Sequence, residues 1–100
     1  MRHIVWTETA SFDLKNIHSY ISKDSPLYAK TLIYEIIHAV DRLIQFPFMG
    51  RVVPELNEEN VRELIVGNYR VIYEATVSTM RILTVLHGAR LLKNLKTKKN

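Results

Sequence analysis

The sequence predicts an α+β fold in which a helical hairpin packs on one face of a small, mainly antiparallel sheet, in the order β-α-α-β-β-β. Three observations carry this expectation. Apolar residues recur at helical spacing along two segments between Thr7 and Phe46, separated by the breaker "SKDSP". From Val61 onward the apolar period falls to two. Gly67-Asn68 then joins two of these alternating runs with the dipeptide chemistry of a tight hairpin.

The first element is the brief β-type run from His3 to Trp6. Thr7 can cap the helix after it, on which Ala10, Leu14, Ile17 and Ile21 line one face and read as core. His18, beside that stripe, reads as a boundary residue because no second ligand stands at metal spacing from it. Ser25 is a natural N-cap, and Pro26 suits the first helical position, where its missing N–H is not needed. The second helix carries Ala29, Leu32, Ile33, Ile36, Ile37, Val40, Leu43 and Ile44, a stripe broad enough to meet both the first helix and a sheet. Phe46-Pro47 stops it, and the short link makes the helices an antiparallel hairpin. "FMGRVVPELNEEN" reads as an exposed loop, and strands are expected at 61–66, 69–77 and 80–87. Residues 1–92 are expected to form one domain, with 93–100 as a basic tail.

Strand register places the charged residues. Counting back from a type I′ turn at Gly67-Asn68 pairs Val66 with Tyr69, Leu64 with Val71 and Arg62 with Tyr73, on the helix-facing side. Glu63, Ile65, Arg70, Ile72 and Glu74 then point to the other face. A two-residue turn at Ser78-Thr79 would set Leu83 opposite Glu74, Val85 opposite Ile72, and His87 opposite Arg70. Glu63, Arg70 and His87 are therefore expected to cluster on a face that the helices leave open, beside Ile65, Ile72, Leu83 and Val85. An open patch of that kind calls for a partner chain. The alternative is that Glu63 and Arg70 form only an exposed cross-strand pair worth about 0.2–1 kcal/mol. On either view Arg70 is expected to face solvent, and its loss to cost under about 1 kcal/mol. Trp6 and Tyr73 read as packing residues rather than platforms for bases.

Composition bounds the function. One hundred residues with 47% hydrophobic and 24% charged side chains make an ordinary globular balance, with no apolar run long enough to span a membrane. There is no cysteine, which removes thiolate catalysis, disulfides and Cys-based zinc sites, and no secretory h-region, so a cytoplasmic setting is expected. The net charge of +4 resides in Lys93, Lys96, Lys98 and Lys99; without them ten basic side chains balance ten acidic ones. Such a tail is a solvated terminus or a handle for a polyanion. Between Thr31 and Leu92 every cation is arginine: Arg42, Arg51, Arg62, Arg70, Arg81 and Arg90. Their planar forks suit fixed contacts with carboxylates or phosphates. No Gly-rich phosphate loop or ligand spacing indicates a metal, nucleotide or other cofactor.

The ordered series "FPFMGRVVPEL", "RELIVGNYRVIYE" and "ILTVLHGAR", after the "DLKNIHSYI" helix, resembles the ParE branch of the RelE/ParE toxin superfamily across most of the chain. The resemblance implies a toxin of a type II toxin–antitoxin module, held inactive by a cognate antitoxin whose flexible segment wraps the hairpin and sheet. It implies DNA gyrase as the target for ParE-like members, and ribosome-bound messenger RNA for RelE-like ones. A third alternative is a non-toxic member that only binds antitoxin. If the chain were an RNase, Glu55 would match the base, Arg70 the phosphate-binding group, and His87 could supply the acid. The sequence departs from that set by lacking mid-chain lysines and a tyrosine after "HGAR". Gyrase interference is therefore the leading expectation, with Arg62, Glu63, Arg70, Arg81, His87 and Arg90 as partner-binding candidates, and Arg90 and the basic tail as the better candidates for contacting a gyrase target.

Overall fold

The computed structural model describes residues 2–90, so the tail expected over 93–100 lies outside the described residues. Strand β1 (His3–Trp6) is followed by helices α1 (Glu8–Ser22) and α2 (Pro26–Asp41) and a 3-10 turn at Arg42–Ile44. Strands β2 (Arg51–Val52), β3 (Val61–Val66), β4 (Tyr69–Ala75) and β5 (Thr79–His87) complete the fold. They form one sheet in the order β1-β5-β4-β3-β2, with β1 parallel to β5 and all other neighbours antiparallel. This is the expected α+β architecture with one added element, the short β2 inside the segment read as loop. Among the described residues no helix is long and apolar enough to cross a membrane.

The helix boundaries follow from side-chain chemistry. The Thr7 hydroxyl accepts from the Ala10 N–H at 3.1 Å and donates to the Ile82 carbonyl at 2.7 Å, so one residue caps α1 and ties it to β5. Ser25 caps α2 by accepting from the Tyr28 N–H at 3.1 Å, with Pro26 at the first helical position. Ala10, Leu32, Ile36, Val40 and Leu43 pack from the helical layer onto Leu64, Val71, Tyr73, Ile82 and Val85 of the sheet. Each large side chain so buried contributes roughly 1.5–3 kcal/mol, more than a cap does, so this layer holds the hairpin in place. Trp6 packs against the same core, as do Leu14, Ile17 and Ile21 of α1, all partly buried.

The β3–β4 register is the expected one, with Arg62 opposite Tyr73, Leu64 opposite Val71 and Val66 opposite Tyr69. Only Gly67 of the turn takes a positive φ, 59°, and Asn68 does not, which is the sign pattern of a type II′ turn instead of I′. The β4–β5 register differs from expectation. Near the turn Ala75 pairs with Met80 and Glu74 with Arg81, a slip of two residues that leaves every side chain on its expected face. Beyond it, Tyr73 pairs with Ile82 but Ile72 with Thr84, so Leu83 is an extra residue in a β-bulge. One extra residue exchanges the faces. Val85 consequently lies opposite Val71 in the helix-facing core, and His87 lies opposite Tyr69, away from Arg70.

The second departure is larger: the face expected to be open is covered by the chain itself. Val53 and Leu56, from the segment read as exposed loop, close over Val61, Ile72, Leu83 and Leu86 in a second apolar cluster. Both faces of β4 are therefore buried, and Glu63, Arg70 and Glu74 are buried with it. Ile65, 58% exposed, is the apolar residue of the expected patch that remains open.

Candidate functional site

Beneath the covering segment lies a chain of four charged side chains. Arg70 projects from β4 and donates from NH1 and NH2 to the two oxygens of Glu55, both at 2.8 Å, in a bidentate fork. Its Nε donates to Glu63 Oε1 of β3 at 2.7 Å, and NH1 also donates to the Arg90 carbonyl at 3.1 Å. The other oxygen of Glu63 accepts from Arg51 Nε of β2. The Glu63 carboxylate is fully buried, Arg70 nearly so, and Arg51 mostly exposed. The hydrogen bonds that Arg70 donates to Glu55 hold its guanidinium above its ordinary pKa; desolvation opposes this, and Glu63 adds to it. Strand pairing sets the geometry, because Arg51 lies directly opposite Glu63, and Arg70 one step diagonally from it.

This arrangement is poor in free chemistry. As a base, Glu55 would have to give up a bidentate partner, and as a phosphate clamp Arg70 would have to surrender the donors that neutralise Glu55 and Glu63. His87 stands on the opposite face, its ring edge-on to Tyr69 with centroids 5.5 Å apart. Its Nδ1 accepts from the Ala89 N–H at 3.1 Å, which puts the proton on Nε2. The structure thus brings Glu55, Glu63 and Arg70 together and separates His87 from them. Burial raises the Tyr69 phenol above its ordinary pKa, and Tyr20 and Tyr28 add to that.

The remaining candidates are dispersed. Arg81 NH1 pairs with Glu74 Oε1 at 2.9 Å. Arg90 is exposed and lines a cleft of about 410 Å³ with Asp13, Tyr20, Tyr69 and His87. Arg62 reaches over the end of β3, where NH1 donates to the Gly50 carbonyl at 2.9 Å and the guanidinium sits 4.9 Å from the centre of the Phe48 ring. The loop was expected from the sequence but that last contact was not; the signal available was the run "FPFM", three large apolar residues around a proline. Among the described residues no group of three or more His, Cys, Asp or Glu could hold a metal ion.

The profile of the family described as "ParE toxin of type II toxin-antitoxin system, parDE" matches residues 4–92. The chain is 35% identical over 92 residues to "Toxin RelE2" of Caulobacter vibrioides, a match covering 91% of this chain and 100% of that protein. It is 34% identical over 88 residues to "Putative toxin Y4kP" of Sinorhizobium fredii, covering 87% and 88% respectively. A solved chain from "Chromosomal ParDE TA system from P. aeruginosa" superimposes with a TM-score of 0.69 at 23% identity, covering 87% of this chain and 95% of its own, and so shares the fold.

Proposed function

The chain belongs to the ParE toxin family of type II toxin–antitoxin systems, and from that premise we propose that it is a cytoplasmic toxin held by a cognate antitoxin that acts, once released, on DNA gyrase to block replication. The observation that carries the choice of target is the placement of the three groups an RNA cleaver would need. Strand-breaking at a ribose requires a base, an acid and a cation around one phosphate. Here Glu55 and Arg70 neutralise each other, and His87 lies across the sheet from both. A surface that engages a protein target needs no such convergence. Arg90 and the lysines after it supply cationic groups for a target that handles DNA.

The test is a supercoiling reaction with purified gyrase and relaxed plasmid. Added toxin should block supercoiling and leave gyrase-linked DNA breaks, and the product of the reading frame adjoining this gene should relieve both effects. Undiminished supercoiling at stoichiometric excess of toxin would overturn the gyrase assignment.

A further inference from the structure

The cleft of about 410 Å³ between α1, the start of β4 and the end of β5 gathers aromatic rings and polar groups that the gyrase reading leaves unused. Asp13, Asn16 and Tyr20 stand at i, i+3 and i+7, so one face of α1 forms its wall. Opposite them, Tyr69 and His87 are direct partners in the β4–β5 register, with ring planes at 78°. Perpendicular rings make a corner that offers a flat ligand one face and one edge. Burial, and after it Tyr20 and Tyr28, raises the Tyr69 phenol, which therefore stays a donor at neutral pH. His87 keeps its Nε2–H as a second donor, because Nδ1 is taken by the Ala89 N–H.

Arg90 supplies the charge. Its N–H donates to the His87 carbonyl at 3.0 Å and its carbonyl accepts from Arg70 NH1 at 3.1 Å, so its backbone is held on both sides. Its guanidinium makes no hydrogen bond or ion pair among the described residues, which leaves an open fork on a fixed base. Asp13, the carboxylate of the cleft, accepts through Oδ2 from the Thr84 hydroxyl at 2.5 Å and the Val85 N–H at 2.9 Å, which partly compensates its charge.

We infer that this cleft binds a nucleotide unit, its base seated in the corner of Tyr69 and His87 beside Tyr20 and its phosphate on Arg90. Stacking rings next to an arginine fork are the pairing that such a unit requires. Asn16 and Asp13 add acceptors for a base amino group or a sugar hydroxyl. An acidic peptide would use the arginine and leave the ring corner empty, and an apolar ligand would desolvate Arg90 and Asp13 without compensation. The site is independent of the gyrase assignment, because its ligand binds the isolated chain.

Titration of the full chain with adenosine monophosphate, followed by NMR of the aromatic side chains, is the test. The rings of Tyr20, Tyr69 and His87 should shift together and saturably, while Tyr34 and His38, paired on α2, stay in place. Arg90→Ala and Tyr20→Ala, both at exposed positions, should each weaken binding about tenfold. Arg42→Ala, outside the cleft, should change it less than about twofold. Adenosine and inorganic phosphate alone should each bind at least about tenfold more weakly than the nucleotide. A short oligodeoxyadenylate distinguishes the two sources of such a unit. Binding at least about tenfold tighter than the mononucleotide, and weakened by the same two substitutions, assigns the cleft to a nucleic-acid strand; equal or weaker binding assigns it to a free nucleotide. Unmoved Tyr69 and His87 rings at millimolar nucleotide would overturn the site. So would adenosine or phosphate binding as tightly as the nucleotide, or Arg90→Ala and Tyr20→Ala binding like the unmodified chain.

Discussion

Replacing Arg70 by alanine should destabilise the chain by roughly 3–5 kcal/mol, the range for breaking one side of a buried ion pair. The magnitude follows from what is left behind. Four charge-assisted hydrogen bonds disappear, to Glu55 twice, to Glu63 and to the Arg90 carbonyl. Glu63, with no exposed side-chain surface, keeps only Arg51, whose side chain is 66% exposed and offers a weakened, water-screened partner. Since a domain of this size has about 5–15 kcal/mol in total, the single variant sits near the limit of folding. The informative companion is Arg70→Met combined with Glu63→Gln, which removes both charges and retains volume. It should lose markedly less than Arg70→Ala, because no carboxylate is stranded in the interior. Equilibrium urea unfolding reads both, with the Arg70→Ala midpoint falling by at least about 1 M. A loss under about 1 kcal/mol for Arg70→Ala, the value for an exposed cross-strand pair, or equal losses for the single and double variants, would refute the buried-network reasoning.

Two further substitutions probe the junction between the sheet and the preceding loop. Burial, before any other influence, raises the Tyr73 phenol above its ordinary value of 10.0, with the Gly50 N–H and Arg62 acting in the opposite direction. The folded state therefore favours the neutral phenol: its contribution is complete below about pH 10 and is lost as pH rises through the raised folded value. Tyr73→Phe should cost about 1–3 kcal/mol at neutral pH by stranding the Gly50 N–H, and should blunt the alkaline loss of thermal stability; an unchanged alkaline limb and midpoint would contradict this. In Gly50→Ala the new Cβ would lie 2.5 Å from the Glu63 carbonyl oxygen and 2.9 Å from the Tyr73 hydroxyl. Because the first neighbour is backbone, the variant should lose about 1–3 kcal/mol, read as a lowered thermal midpoint, and a neutral outcome would contradict the close approach of Gly50 to β3.

The elements and the β3–β4 register were legible because each rests on local signals: the Thr7 and Ser25 caps, the Pro26 start, and the short Gly67-Asn68 turn that leaves only one in-phase pairing. What escaped depends on contacts distant in sequence. The covering segment looked like loop because Pro54 and the polar run after Leu56 outweigh two apolar residues, yet Val53 and Leu56 are what seal the second face. A trace of it was present in "VIY" of β4 and "ILTVL" of β5, where consecutive apolar residues signal strands buried on both sides. The doubled apolar pairs around Thr84 were also the available sign of the bulge at Leu83, whose extra residue carries His87 to the other face. For the candidate site, the pairing of Glu63 with Arg70 was read correctly from register, while its burial and the capture of Arg70 by Glu55 required the fold of the covering segment. The β1–β5 parallel pairing joins residues more than seventy positions apart and left no local mark.

The most direct measurement sets purified toxin against both targets side by side: gyrase supercoiling in one reaction and message integrity in cell-free translation in the other. Blocked supercoiling with intact message is the expected result for a toxin whose Glu55 and Arg70 are locked together and whose His87 lies across the sheet. Message cut by the unmodified chain and spared by His87→Ala, with supercoiling unaffected, would contradict it.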